Sequence, residues 1–497
     1  MSAELYTEWA GPPQGYTTDD YLYGSNGPWP KVNTLVPELP AMIKKIPKTQ
    51  LEDFRLNVVS HYLKTLKSGR LKIILKMLAG DHKLQPVSDR LFVEQLFYGT
   101  FSKLLTPVGL EDAAEFPEVL NPDDLFDSEG QPKYLKIDTL SMNRVDPLHG
   151  IYSAPSLTLF KRETDHSGTA LAIKINGLVL TPEDKNAWEL AKYFVFQGAL
   201  CVITLVTHPR VHFPMDAISA ISLTALPQQH LLFKLIAPHT RIQLAINQAV
   251  SLLPYSVAHN NQFLPYTPYP GWGNIPIIED GRGWTGHMTD AFSGIAGNNC
   301  YPPYNYLLAP EKVWSDFDEF LRGYYNVILD FVSAVVAHID VDDPVITYWS
   351  DAIAAWVSGF PDHQRIREGD TLARVIASFI WDVTVAHSAD HGAMGHYQQN
   401  AFALRLRVPA PTSKTMPPIN RRKLVTFGDT LRNRLCFEMY FGPPRGPGHL
   451  YDTWYGFNDP ELDQLNTQFL NDLQRVDETL TCRRFIKLKD IARSINF

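Results

Sequence analysis

Two pairs of histidines, each spaced four residues apart and set in apolar sequence, constrain this chain more than any other feature. The first lies in "VTHPRVHFPMDA" (206–217) as His208 and His212, with Asp216 four residues further on. The second lies in "FIWDVTVAHSADHGAMGHY" (379–397) as His387 and His391, with His396 just beyond. Residues four apart on a helix share a face, one turn from each other. Two helices that each offer such a pair can enclose one transition-metal ion in nitrogen ligands. The second stretch contains no proline and predicts a helix through at least His391. The first contains Pro209 and Pro214, and proline removes a helical hydrogen bond. That stretch therefore fits a kinked helix or a loop. Imidazole suits iron, manganese, copper or zinc, so spacing alone does not choose the metal, and buried histidines also satisfy core hydrogen bonds.

Around the two pairs the pattern is mostly α. Helical periodicity marks 183–200, 217–236, 312–338, 345–358, 371–393 and 459–482. A few short strands are expected at "SLTLF" and "TALAIKINGLVL", with a turn at "TDHSG", after a loop-rich 107–150. "ALCVITLV", just ahead of the first pair, is β-branched and passes for a buried strand on propensity alone. Residues 253–310 are rich in Pro, Gly, Asn and Tyr and too long for a simple connection, as functional lids or crossings are. The first 45 or so residues read as an extended arm, and 49–78 as a helix interrupted near Ser68-Gly69. The expected division is an N-terminal arm and helical extension over 1–150, then a metal-binding catalytic domain over 151–497.

Composition narrows the function. Across 497 residues, 45% apolar and 20% charged, the net charge is −8. That balance is globular and argues against nucleic acid as a partner. The cysteines lie far apart with no C-x-x-C pair, which excludes a disulfide scaffold and a cysteine zinc site. With no basic start followed by an apolar run, no N-x-S/T acceptor and no membrane-spanning apolar stretch, a cytoplasmic protein is expected. The lysines and arginines of 49–78 suit either peripheral contact with an anionic membrane or an ordinary solvated helix face. No G-x-S-x-G elbow, Walker loop or H-E-x-x-H is present.

Several segments resemble the lipoxygenase family. "AWELAKYFV" (187–195) resembles its W-x-L-A-K-x-x-V segment, and "HLLFKLIAPHTRIQLAIN" (230–247) is similar to its H-P-x-x-K-L-L-x-P-H-x-R-x-x-x-x-I-N. "DDPVITYWSDAIAAW" (342–356) resembles D-x-E-I-Q-A-W, "FIWDVTVAHSADHGA" the second metal helix, and "IARSINF" the ending I-P-N-S-[IV]-x-I. Phe469, Leu473, Val476 and Leu480 keep the spacing of its last long helix. The likeness covers roughly 150–497, and no N-terminal β-sandwich lipid domain is evident.

The resemblance implies a large, mostly helical catalytic domain around one non-haem iron, with manganese or copper as alternatives. The implied ligands are His208, His212, His387, His391 and the terminal carboxylate of Phe497, and these histidines are the expected catalytic set. Asp216 and His396 would stand in a second shell, while His230, His239, Arg241 and Asn247 would be structural. The family's reaction is abstraction of a bis-allylic hydrogen by metal-bound hydroxide, then addition of O2 to a polyunsaturated fatty acid. The departures lie at the ligands. Family members carry H-x-x-x-x-H on the first helix. Counted from Trp188, His208 matches the second of those histidines and Ile203 stands at the first; counted back from His230, the two places fall on Thr207 and Val202. One usual ligand is thus missing, and His212 replaces it from the next turn. Aligned on Trp381, His387 and His391 match the third histidine and the Asn-or-His ligand; aligned on "SADHGA", His391 is the third histidine and Gly395 falls at the next ligand. Phe497 stands where isoleucine is usual. Three functions remain open: fatty-acid dioxygenation, an oxygenase with an altered metal shell acting on a non-lipid small molecule, and a non-catalytic ligand-binding descendant.

Overall fold

The computed structural model describes residues 48–79, 84–163, 167–204, 208–252, 269–271, 315–354, 357, 359–396, 403–440, 448–481 and 486–495. The expected arm (1–45) and nearly all of 253–310 lie outside these residues. Helix α1 runs through 48–78 without a break. It absorbs Ser68-Gly69 in a widened turn, Thr65–Gly69, and has a second such turn at Phe54–Val59. On its inner side Val58 packs with Ile242 and Ile246. Leu56, Leu63, Leu71, Leu75 and Leu78 are exposed.

Next come α2 (Asp89–Phe97), a tight turn at Thr100–Leu104, β1 (Leu105–Pro107), α3 (Leu110–Ala114) and β2 (Tyr134–Asp138). Strands β3 (Ser156–Arg162), β4 (Gly168–Ile175) and β5 (Leu178–Leu180) complete a five-stranded antiparallel sheet in chain order. "TALAIKINGLVL" folds as β4 and β5 because Asn176 and Gly177 both take positive φ, 50° and 76°. These values fit a two-residue hairpin turn, where asparagine and glycine carry the least strain. Side chains leave the sheet on both faces. Leu157, Leu159 and Ala172 pack with Ala113 and Phe116, whereas Phe160, Ile173 and Ile175 pack with Phe92, Phe97 and Trp188. The sheet draws β1 and β2 from before residue 150 and β3–β5 from after it, so the expected domain boundary runs through one sheet.

Helix α4 (Asn186–Val202) follows. Nearly every residue from Ala187 to Val202 is buried, and a helix apolar on all sides belongs inside a core. Packing from every direction therefore overrides the strand propensity of "ALCV". Lys192 and Trp188 both donate to Asp89 of α2, at 2.7 and 2.6 Å, which answers the helix's buried cation with an anion. The second half is a helical assembly: α5 (His208–Ala225), α6 (Leu231–Ile236), α7 (Gln243–Leu252), α8 (Asp316–Val336), α9 (Pro344–Ala354), α10 (Thr371–Trp381), α11 (His387–His396), α12 (Phe427–Tyr440) and α13 (Pro460–Thr479). Helix α8 packs against α10 and α13, and α5 against α7 and α9. The single helix expected over 217–236 is two, divided at Pro227, since proline cannot continue the hydrogen-bond ladder. Among the described residues no helix is long and apolar enough to cross a membrane.

Gly198 of α4 sits against Thr139. A Cβ there would lie 2.8 Å from Thr139 Oγ1 and 2.9 Å from its Cβ. Both sides are buried, so Gly198→Val should destabilise the protein by about 1–3 kcal/mol through overpacking. A thermal melt checks this, and an unchanged melting temperature would contradict the close approach.

Candidate metal centre

Both histidine pairs lie on helices. In α5, His208 and His212 lie one turn apart, and the helix runs on through Pro209 and Pro214. The opening stretch is therefore helical, and face counting applies to it. In the second stretch, α10 passes through a widened turn at Asp382–Ala386 directly into α11, which begins at His387. Helix α5 packs on both the widened turn and α11, so the two pairs face each other.

The four imidazoles are 0–7% exposed. The Nε2 atoms of His208 and His212 are 2.8 Å apart, those of His208 and His391 3.1 Å, and those of His212 and His387 3.2 Å. One ligand atom from each residue can be chosen so that all lie within 4.8 Å of one another. The outer nitrogens say what the inner ones carry. Asn247 of α7 donates from Nδ2 to the His212 carbonyl at 3.2 Å, which turns its Oδ1 toward His212 Nδ1 at 2.8 Å. That oxygen only accepts, so His212 Nδ1 bears the proton and Nε2 a lone pair. Asp390 Oδ2 lies 3.2 Å from His208 Nδ1 and sets the same tautomer there.

Two bare lone pairs facing each other at 2.8 Å repel unless a cation lies between them. Two nitrogens bound at a right angle to one ion, each at about 2.1 Å, would stand about 3.0 Å apart. The residues present thus fit one ion with several imidazole ligands.

Electrostatics agree with neutral rings. Burial, and then the neighbouring His208, pushes His212 down to about 3. Burial, followed by His391 and the other two rings, holds His387 well below the ordinary histidine range. Burial raises Asp390, but the Lys103 ammonium and the His208 hydrogen bond outweigh it and bring the carboxyl down to about 2. Lys103 Nζ donates to Asp390 Oδ1 at 2.6 Å.

The fold brings all four expected histidines together. The side chains of Asp216 and His396 lie outside the described residues, as does Phe497. The described end of the chain does reach this neighbourhood: Ala492 N donates to Ser388 Oγ at 3.0 Å and Ser494 Oγ to the Arg241 carbonyl at 2.8 Å. Three residues expected to be structural make structural contacts. His230 caps α6 by accepting from Leu232 N, His239 bonds the Arg493 carbonyl at 2.6 Å and Tyr455 Oη at 2.9 Å, and Arg241 pairs with Asp53 at 2.7 Å. Asn247 departs from that expectation, because it orients a ring of the cluster. Asp390 and Lys103 were not foreseen. A carboxylate inside an apolar histidine helix was a visible signal for Asp390, whereas Lys103 carries no local one.

A pH dependence follows from the buried neutral rings. His212 and His239 are both pushed from 6.5 to about 3, by burial first. The unfolded chain therefore binds more protons than the folded chain between those values, and stability rises with pH there. Their contribution is complete above about 6.5 and is lost as pH falls toward 3. The melting temperature of metal-free protein should fall steadily on acidification below that point, and His239→Gln should flatten the curve. A melting temperature independent of pH in this window would contradict neutral burial.

No protein-family model matches the chain. It is similar to polyunsaturated fatty acid lipoxygenase ALOX8 of Mus musculus, 26% identical over 303 residues, which cover 54% of this chain and 40% of that one. It is also similar to polyunsaturated fatty acid lipoxygenase ALOX12 of Homo sapiens, 21% identical over 419 residues, 77% of this chain and 59% of that one. The matches thus span about two fifths to three fifths of those relatives' lengths. Among solved structures, coral 8R-lipoxygenase superposes with a TM-score of 0.68 at 15% identity, covering 98% of this chain and 83% of its own. The manganese lipoxygenase of Gaeumannomyces graminis gives 0.62 at 17% identity, covering 82% and 80%. The chain is thus similar in sequence, at low identity, to lipoxygenases and carries their catalytic-domain fold.

Proposed function

We propose that this protein is a lipoxygenase-like oxygenase in which His208, His212, His387 and His391 hold one iron or manganese ion. The observation that carries the reading is the convergence of four buried Nε2 atoms, two of them stripped of protons by Asn247 and Asp390. The Phe497 carboxylate is proposed as a further ligand, supported by the anchoring of 492–494 beside α11 and α7's leading turn. When bound, such an ion supplies the one-electron and O2 chemistry that side chains lack. Asn247 and Asp390 fix the tautomers of His212 and His208, and the fold buries all four rings away from bulk water. Burial keeps His212 and His387 uncharged, so neither ring repels a cation held between them.

For substrate we propose a polyunsaturated fatty acid. The related sequences are named for acting on such acids, and one lipoxygenase similar in fold at 15% identity has been solved in complex with arachidonate. One observation favours a second reading, an oxygenase acting on a non-lipid small molecule. His208 and His212 are four apart where the family spacing is five, and a one-residue change turns a side chain by about 100° on a helix. The ligand shell is therefore arranged differently.

Metal analysis of purified protein should give about one iron or manganese per chain, and oxygen uptake should follow addition of linoleate or arachidonate. Metal without uptake favours the second reading, and absence of metal overturns both. Adding one residue after Phe497 should lower metal content and activity several-fold; unchanged values would remove that carboxylate.

A further inference from the structure

Asp390 is a carboxylate with a 1% exposed side chain, one residue ahead of His391 on α11. An isolated charge at such depth costs several kcal/mol unless it is paired and hydrogen-bonded. Here it is both. Oδ2 accepts from His208 Nδ1 at 3.2 Å and Oδ1 accepts from Lys103 Nζ at 2.6 Å. Lys103 reaches in from the turn Thr100–Leu104 beside the sheet, and its Nζ also lies 3.5 Å from the Ala386 carbonyl, on the widened turn before His387. The ammonium thus ties together the carboxylate between the second histidine pair and the backbone that launches it. A well-packed apolar residue at 390 would satisfy the fold at lower cost, so stability alone gives no reason for a buried ion pair here.

We infer that Asp390 and Lys103 are positioning residues for a divalent metal ion, acting through His208. This rests on the reading of the four histidines as a metal centre. The carboxylate accepts a hydrogen bond from Nδ1–H, which holds the ring's rotation and leaves its Nε2 lone pair inward. It also makes the imidazole a stronger donor, as carboxylates behind metal-bound histidines do. Four neutral rings bring no negative charge to a dication; Asp390 supplies one just behind them. Lys103 keeps that carboxylate in place and occupies its second oxygen. Asn247 performs the orienting task for His212 with a neutral group, so the two histidines of α5 are held by unlike partners.

The test uses the full chain, stripped of metal and titrated with Mn(II) alone, with free Mn(II) followed by electron paramagnetic resonance. Asp390→Asn keeps an acceptor and the side-chain shape but removes the charge. It should weaken Mn(II) binding about 10–100-fold while circular dichroism and the melting curve still report a folded protein. The spectrum of the bound ion should change as well, which a merely structural residue would not cause. Lys103→Met should weaken binding several-fold, and its effect should largely vanish in the Asp390→Asn background, since both act through one carboxylate. Wild-type affinity and spectrum in folded Asp390→Asn would overturn the assignment. If that variant does not fold, Lys103→Met decides, and wild-type binding there would overturn it equally. Wild-type protein that binds no Mn(II) or Fe(II) would overturn the metal-centre reading itself, which separates the two failures.

Discussion

Four imidazoles crowded into a buried space are the constraint on which the rest of this structure depends. Their inner nitrogens approach to 2.8–3.2 Å. With the outer nitrogens of His212 and His208 committed to Asn247 and Asp390, the bare inner nitrogens of that pair face each other at 2.8 Å. The surroundings must therefore hold the rings against their own repulsion, or an ion must draw them together. Both demands call for rigid supports from several directions. The fold meets them with α5, α7, α11 and the turn at Thr100–Leu104, whose residues lie nearly three hundred positions apart in the chain.

The widened turn at Asp382–Ala386 has a part in this. An extra residue in a helical turn rotates everything that follows it, and such turns recur at functional sites. Here it comes just before His387, so α10 can keep its apolar face on α8 while α11 presents both histidines to α5. Without that offset, one face of a regular helix would have to serve core and cluster alike. The buried polar contacts of α4 do comparable work on the other side. Lys192 and Trp188 meet Asp89, and Gln197 donates to the carbonyls of Tyr152 and Leu404.

Much of this was legible in the sequence because the signals were local. The spacing of His387 and His391 in a proline-free apolar run marks a helix and its face. The alternation in "SLTLF" marks a strand. What escaped depends on context. "ALCV" reads as strand by propensity and folds as helix because packing surrounds it. Pro209 and Pro214 suggested a kink or a loop, yet α5 continues through both. Asn247 looked structural because its role depends on a ring thirty-five residues away. Lys103 could not be foreseen at all, since it matters only through a carboxylate 287 positions later. The rule is physical: period and turn chemistry are written locally, whereas charge pairing in the interior is written by topology.

That topology bears on how the chain can change over evolutionary time. Lys103, β1 and β2 all precede residue 150, yet the first ends on Asp390 and the strands complete a sheet whose other members follow it. The region before residue 150 is therefore no detachable module that could be swapped, lost or replaced by recombination with the histidine core left intact. Any exchange at that point would have to bring a replacement cation to the carboxylate behind His208, or lose the carboxylate with it. Drift in the two halves should accordingly be correlated, with substitutions at 103 and 390 arriving together.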